Sequence, residues 1–277
     1  MNHIKKAIGK LFLFATVSIS SFAGTPDFEP SNCIPCTSNK TSEMIDPVLI
    51  FKQVNERLAS LKKVQYHYLK EFNYPEENYV AKSEGDMYIE FDKEHDLAGI
   101  RFQYRDERGF IIFNNSELFS GNKKTQTIEL STIKSETNLE GKSPLYNSII
   151  TLKNIFPILL KDQTIKKSVI DTLINQKSCY SLRFFLHNKL INYLGTGYAT
   201  VTKELTFNYQ IIVDKNTLMP QTIVQTTVNS QSVNRTDFTA VNTSPSPVSE
   251  SSWFYSNYFD NYKTRRPEST SCYNQNR

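Results

Sequence analysis

The stretch Met87–Leu130 constrains the fold of this chain most. It reads MYIEFDKEHDLAGIRFQYRDERGFIIFNNSELFSGNKKTQTIEL, short apolar and aromatic runs separated by tight polar breaks. Ile100, Phe102 and Tyr104 share one parity; Arg101, Gln103 and Arg105 share the other. A period of two marks a strand with one face packed and one wet. The breaks Arg108-Gly109, Asn114-Asn115-Ser116 and Ser120-Gly121-Asn122 suit hairpin turns, because Gly and Asn tolerate positive φ. The stretch predicts an antiparallel meander committed on one face to an apolar interior.

The same alternation extends backwards through VQYHYLKEFNY and NYVAKSEGDMYIEF, two long strands joined at Tyr74-Pro75-Glu76-Glu77. Ahead of them, Ile50, Val54, Leu58 and Leu61 form a helical stripe that predicts a helix from about Pro47 to Leu61, opened by Asp46-Pro47. A second stripe, Ile149, Leu152, Phe156 and Leu159, predicts a helix between Pro144 and Leu160 that Pro157 kinks or ends. Period two then returns from about Thr164 to Val241. Tyr180, Leu182, Phe184 and Leu186 form one face there, and Phe207, Tyr209, Ile211 and Val213 another. Asp214-Lys215-Asn216-Thr217 is the turn, and Met219-Pro220 starts the return strand. Helix, meander, helix, meander predicts an α+β fold: one large curled antiparallel β-sheet, an unclosed half-barrel, with the helices covering its concave face.

The ends read differently. Residues 1–23 carry Lys5, Lys6 and Lys10, then the apolar run Leu11–Ile19, then Ser21-Phe22-Ala23. This is the pattern of a secretory signal peptide cleaved after Ala23, too short in its apolar run to span a bilayer. It predicts an exported, periplasmic protein with no transmembrane segment after cleavage. The three Lys of the leader account for the difference between the formal +4 of the whole chain and +1 for the remainder, so the charge gives no case for nucleic acid. Residues 24–43 read as a flexible Cys-containing arm, 44–262 as the folded domain, and 263–277 as a polar tail.

Four cysteines, Cys33, Cys36, Cys179 and Cys272, allow three pairings in an oxidising compartment. Cys33-Ile34-Pro35-Cys36 has the spacing of a redox pair, but it lacks the preceding apolar strand and the following helix that such chemistry uses. It reads as an arm disulfide or an incidental pair, as an exchange pair for a partner, or as half of a metal site. Cys179 reads as a packed residue or a partner of Cys272. His67, His95 and His187 are scattered, and Asp92, Glu94, Asp96, Asp106 and Glu107 sit near turns. No catalytic residue, metal site or cofactor is assigned from them.

Several stretches resemble the outer-membrane lipoprotein carrier family (LolA and LolB) over roughly residues 45–260. IRFQYRDERGFIIFNNSELFSGNKKTQTIEL is similar to the family's strand-turn-strand series. YQIIVDKNTLMPQTIVQTT is similar to its strand, Asp-x-x-Thr-x-x-Pro turn and return strand. The aromatic cluster around Trp253 sits where such modules end. The likeness is nearest to the LolA-like module ahead of thioredoxin domains in TlpA-type periplasmic proteins. The chain departs from it where carriers have Arg-Pro: here Phe91-Asp92-Lys93-Glu94 stands, and Lys lacks the planar multi-donor fork of Arg. Asn114-Asn115 replaces the usual Asp-Gly turn.

The resemblance implies a non-catalytic binding module with an apolar cavity for lipid or lipoprotein acyl chains. A curled sheet under helices can enclose more room than its side chains fill. The expected lining is Phe102, Tyr104, Leu182, Phe184, Tyr209, Ile211 and Val224 from the sheet, with Ile149, Leu152 and Phe156 from the helix. The expected partners are a hydrophobic ligand or acyl chain and an envelope protein. The alternatives are a scaffold for periplasmic thiol-disulfide exchange through Cys33 and Cys36, and an interaction domain with a filled core.

Overall fold

A computed structural model describes residues 45–91, 99–133, 135 and 138–264. Helix α1 is Pro47–Ala59; the Asp46 side chain accepts from the Val48 N–H at 2.9 Å and Pro47 occupies the first turn. Its stripe of Ile50, Phe51, Val54 and Leu58 is buried, and Leu61 is buried just beyond its end. Helix α2 is Ile149–Lys161, opened by a capping box between Ser148 and Thr151. Pro157 lies inside α2 rather than ending it. An interior Pro costs about 3 kcal/mol. Burial of Phe156 and Leu159 on either side of it offsets that cost.

The strands are β1 (Lys63–Tyr74), β2 (Tyr79–Phe91), β3 (Ile100–Arg105), β4 (Gly109–Phe113), β5 (Glu117–Asn122), β6 (Thr127–Thr132), β7 (Lys167–Ile174), β8 (Lys177–His187), β9 (Lys189–Ile191), β10 (Tyr198–Thr200), β11 (Thr206–Asp214), β12 (Pro220–Thr227), β13 (Val233–Asn242) and β14 (Lys263–Thr264). Twelve form one unclosed sheet in the order β14-β6-β5-β4-β3-β2-β1-β13-β12-β11-β8-β7, and β9 and β10 make a separate hairpin. Every pair is antiparallel except β14 with β6. The two meanders join where β13 returns to β1, with Lys70 opposite Thr236 and Phe72 opposite Asn234.

Four hairpin turns use one device: a side-chain oxygen accepts from the backbone N–H groups two and three residues on. Asp106 accepts from Arg108 and Gly109, Asn114 from Ser116 and Glu117, Asn122 from Lys124 and Thr125, and Asp214 from Asn216 and Thr217. The break expected at Ser120-Gly121-Asn122 is therefore displaced. Gly121 lies within β5, and the turn follows Asn122. Gly121 serves close approach, not a turn: a Cβ there would lie 2.3 Å from the Phe110 ring.

The second face of the first meander is not wet. Tyr88, Phe110, Ile112, Phe119 and Ile128 are buried there with Trp253. Two 3-10 turns, Glu250–Trp253 and Tyr255–Tyr258, carry the covering residues. Arg101 stacks 4.5 Å above the Trp253 ring while it pairs with Glu90 at 2.6 Å and Glu250 at 3.1 Å. Gln103, expected on the solvated face, is buried and donates to Ser252 Oγ at 2.8 Å. Because β4 is covered on both faces, GFIIF is a continuous apolar run.

Candidate functional site

The main core lies on the other face. One cluster holds Ile149, Leu152 and Phe156 of α2 together with Phe102, Tyr104, Leu182, Phe184, Tyr209 and Ile211 of the sheet, each nearly or fully buried. Val224 is the exception. It is half-buried on the opposite face, across from Gln210 and Arg235, while Ile223 enters the core. The strand is offset by one residue from the expected facing.

β3 and β8 stand six strand positions apart in the sheet order, roughly 29 Å on a flat sheet. Helical side chains join the two flanks. Phe51 of α1 lies 5.6 Å from Phe156 and 6.4 Å from Phe184, ring centre to ring centre, and Phe184 stacks on Tyr209 at 5.1 Å. On the β3 side, Tyr104 stacks on Tyr68 at 5.6 Å. Its hydroxyl donates to Asp106, and burial pushes that hydroxyl up to about 12. Gly85 leaves room for this ring, since a Cβ there would fall 2.4 Å from it. Lys153 of α2 caps the end of α1 by donating to Leu58 O at 2.7 Å and Ala59 O at 2.8 Å.

One end of this interior is polar, which the sequence reading missed. Across β2, β1, β13 and β12 the core-face row runs Ser83, Lys70, Thr236, Ile223. The next row runs Ala81, Phe72, Asn234, Gln225 and on to Tyr209 of β11. The segment 143–147 lies over both rows. Lys70 Nζ donates to Ser143 O at 2.7 Å and Tyr146 O at 2.5 Å. The Tyr146 hydroxyl and the Asn147 amide both donate to Gln225 Oε1.

Lys70 is 1% exposed, and no carboxylate pairs with it among the described residues. Burial lowers its ammonium from 10.5 to about 7. Beside it, Ser83 Oγ, Thr236 Oγ1 and both amide atoms of Asn234 are buried without a hydrogen-bond partner. The signal for Lys70 was its parity with Tyr66 and Tyr68. A polar pair such as Asn234 and Thr236 carries no comparable sequence signal.

The other residues singled out from sequence fall elsewhere. Cys179 is a free, buried thiol on β8 whose Sγ lies 3.8 Å from Gln221 Oε1. Burial raises its pKa, so it is not an activated thiolate. His67 pairs with Asp86 at 3.0 Å on the surface, and His187 contacts Thr206 Oγ1. Asp106 is a turn residue. Cys33, Cys36, Cys272, Asp92, Lys93, Glu94, His95, Asp96 and the leader lie outside the described residues. Among those described, no three His, Cys, Asp or Glu side chains are grouped to hold a metal, and no helix is long and apolar enough to cross a membrane.

No family model matches the sequence, and no curated protein matches it. Among solved structures the chain is similar to LprF from Mycobacterium bovis, at 9% identity and a TM-score of 0.44, over 74% of this chain and 96% of that one. It is also similar to the lipoprotein LppX of Mycobacterium tuberculosis, at 8% identity and a TM-score of 0.41, over 73% and 97%. A LolA superfamily protein from Nitrosomonas europaea aligns at 10% identity and a TM-score of 0.32, over 73% and 96%.

Proposed function

We propose that this protein is a non-catalytic binding module of the cell envelope that holds an acyl chain between the concave face of its sheet and its two helices. One observation carries the reading: one face of a wide, unclosed sheet is apolar and buried against only two short helices and the segments around Leu139, Leu145, Ile191 and Leu194. Twelve strands spaced ~4.8 Å apart span about 53 Å if laid flat. The two helices have 13 residues each and are only ~20 Å long. A sheet of this width has to curl around the helices to bury Phe102 and Phe184 at once, and that shape is the one that makes room for an elongated apolar guest. Each buried methylene would add about 0.8 kcal/mol. The leader-like residues 1–23 support export, and the carrier-like motifs point to lipid or lipoprotein acyl chains as the guest.

A neutral dye tests this. Nile red should show saturable, one-to-one emission in the presence of the protein, and hexadecanol should displace it. Hexadecanol at about 100 times its Kd should also stabilise the fold by about 2.7 kcal/mol through linkage. Dye emission that stays at its aqueous value, with no thermal shift, would remove the reading.

A further inference from the structure

We propose that the polar cluster around Lys70 is a headgroup site, and that it takes a ligand ending in an oxyanion, a carboxylate or a phosphate. Lys70 would supply the charge, and Thr236 and Asn234 of β13 the hydrogen bonds. The inference rests on the acyl-binding reading and adds the chemistry of the ligand's polar end.

The unpartnered donors around Lys70 suit an anion. An ammonium has three N–H donors, and the carbonyls of Ser143 and Tyr146 take two of them. These two bonds pin Nζ beneath the 143–147 segment and leave one donor over. Thr236 lies directly opposite Lys70 on β13, and Ser83 opposite it on β2, two strand spacings (~10 Å) from Thr236, so the site lies on the β13 side. Asn234 sits in the next row of β13. All three side chains hold buried polar atoms with no partner. A carboxylate offers about four acceptor positions on two oxygens. One oxygen can meet the free N–H of Lys70 and the other the Thr236 hydroxyl or the Asn234 amide N–H, both carried by β13.

Water alone could satisfy the hydrogen bonds, but it would leave the buried ammonium without a counter-charge. Burial disfavours the charged lysine in the bare site, and a bound anion would reverse that preference. Along β1 from Lys70, the core-face residues are Tyr68, Tyr66 and Val64, which lead into the apolar cluster with the helices. The interior is thus polar at one end and apolar beyond it, the pattern of an amphiphile with one acidic head.

Native mass spectrometry and thermal shift on the full chain test the inference. The probes are palmitate, methyl palmitate, sodium acetate and inorganic phosphate, on wild type, Lys70→Met and Thr236→Val. Wild type should bind palmitate at least tenfold more tightly than methyl palmitate. Lys70→Met should level the two. Thr236→Val, nearly isosteric and expected to fold, should weaken palmitate severalfold and leave methyl palmitate unchanged.

Equal binding of palmitate and its ester by wild type would overturn the headgroup site and leave the acyl reading standing. Acetate or phosphate bound as well as palmitate would make this a site for a free oxyanion and overturn the lipid assignment. Binding of neither long-chain probe would remove the acyl reading itself. A Thr236→Val variant that binds palmitate like wild type would also overturn the proposed contacts, whether or not Lys70→Met folds.

Discussion

Replacing Lys70 by Met should change how the stability of the protein depends on pH, and the size of the change follows from burial. In the unfolded chain Lys70 titrates near 10.5, and in the fold near 7. Between those values the unfolded state binds more protons than the folded state, so stability rises with pH. Full separation of the two values is worth about 5 kcal/mol at ~1.36 kcal/mol per unit. Tyrosines limit the usable window. Tyr74, Tyr104, Tyr193 and Tyr198 are all pushed up to about 12 by burial, so unfolded-state tyrosines ionise first and stability falls above about pH 10. From pH 7.5 to 9.5 the Lys70 contribution is about 2.5 kcal/mol.

The comparison to make is therefore wild type against Lys70→Met, by urea unfolding at several pH values. Groups shared by both chains, including the Cys179 thiol, cancel in the difference. Wild type should gain about 2.5 kcal/mol over the variant across this window. Parallel profiles would refute the reasoning, because they would mean that the Lys70 ammonium bears no burial penalty in the fold.

Three further outcomes follow from the packing. Trp253→Ala should cost about 3–5 kcal/mol by emptying the second cluster, and it should expose residues 250–258 to limited proteolysis; an unchanged melting temperature and digestion pattern would contradict the cover. Gly121→Ala should cost about 1–3 kcal/mol through overlap with the Phe110 ring, and Phe110→Leu in the same chain should recover part of that, which a double-mutant cycle measures. Asp46→Ala should cost about 1 kcal/mol through loss of the α1 cap, read as a shift in the urea midpoint at constant slope.

The parts of this fold that were legible in the sequence are those set by local periodicity. Ile100, Phe102 and Tyr104 show their facing because charged and polar residues alternate with them, and α1 shows its stripe because Asp46-Pro47 marks its start. The pairing of β1 with β13 was not legible. It joins residues more than 150 positions apart, and no local pattern specifies which strand closes against β1. Val224 was misplaced because Ile223 and Val224 are adjacent and equally apolar. The choice between them depends on Ile211 meeting Ile223, and the register shift at Ile212/Val213 removes the count that would have fixed it.

The covering of Gln103 and Arg101 by the Trp253 segment is a tertiary contact, invisible to a period-two reading. Lys70 was passed over because a lysine between Leu69 and Glu71 looks solvated. Its parity with Tyr66 and Tyr68 gave its direction, but the 143–147 segment that buries it is remote in sequence. The cysteine pair at 33 and 36 falls outside the described residues.

The most direct measurement is native mass spectrometry of the protein purified from its own envelope, followed by lipid extraction of the same sample. The account predicts a bound species of lipid mass that carries an acyl chain, released on denaturation in a one-to-one ratio. Protein that carries no such species, and gains none when offered palmitate or hexadecanol, would contradict it.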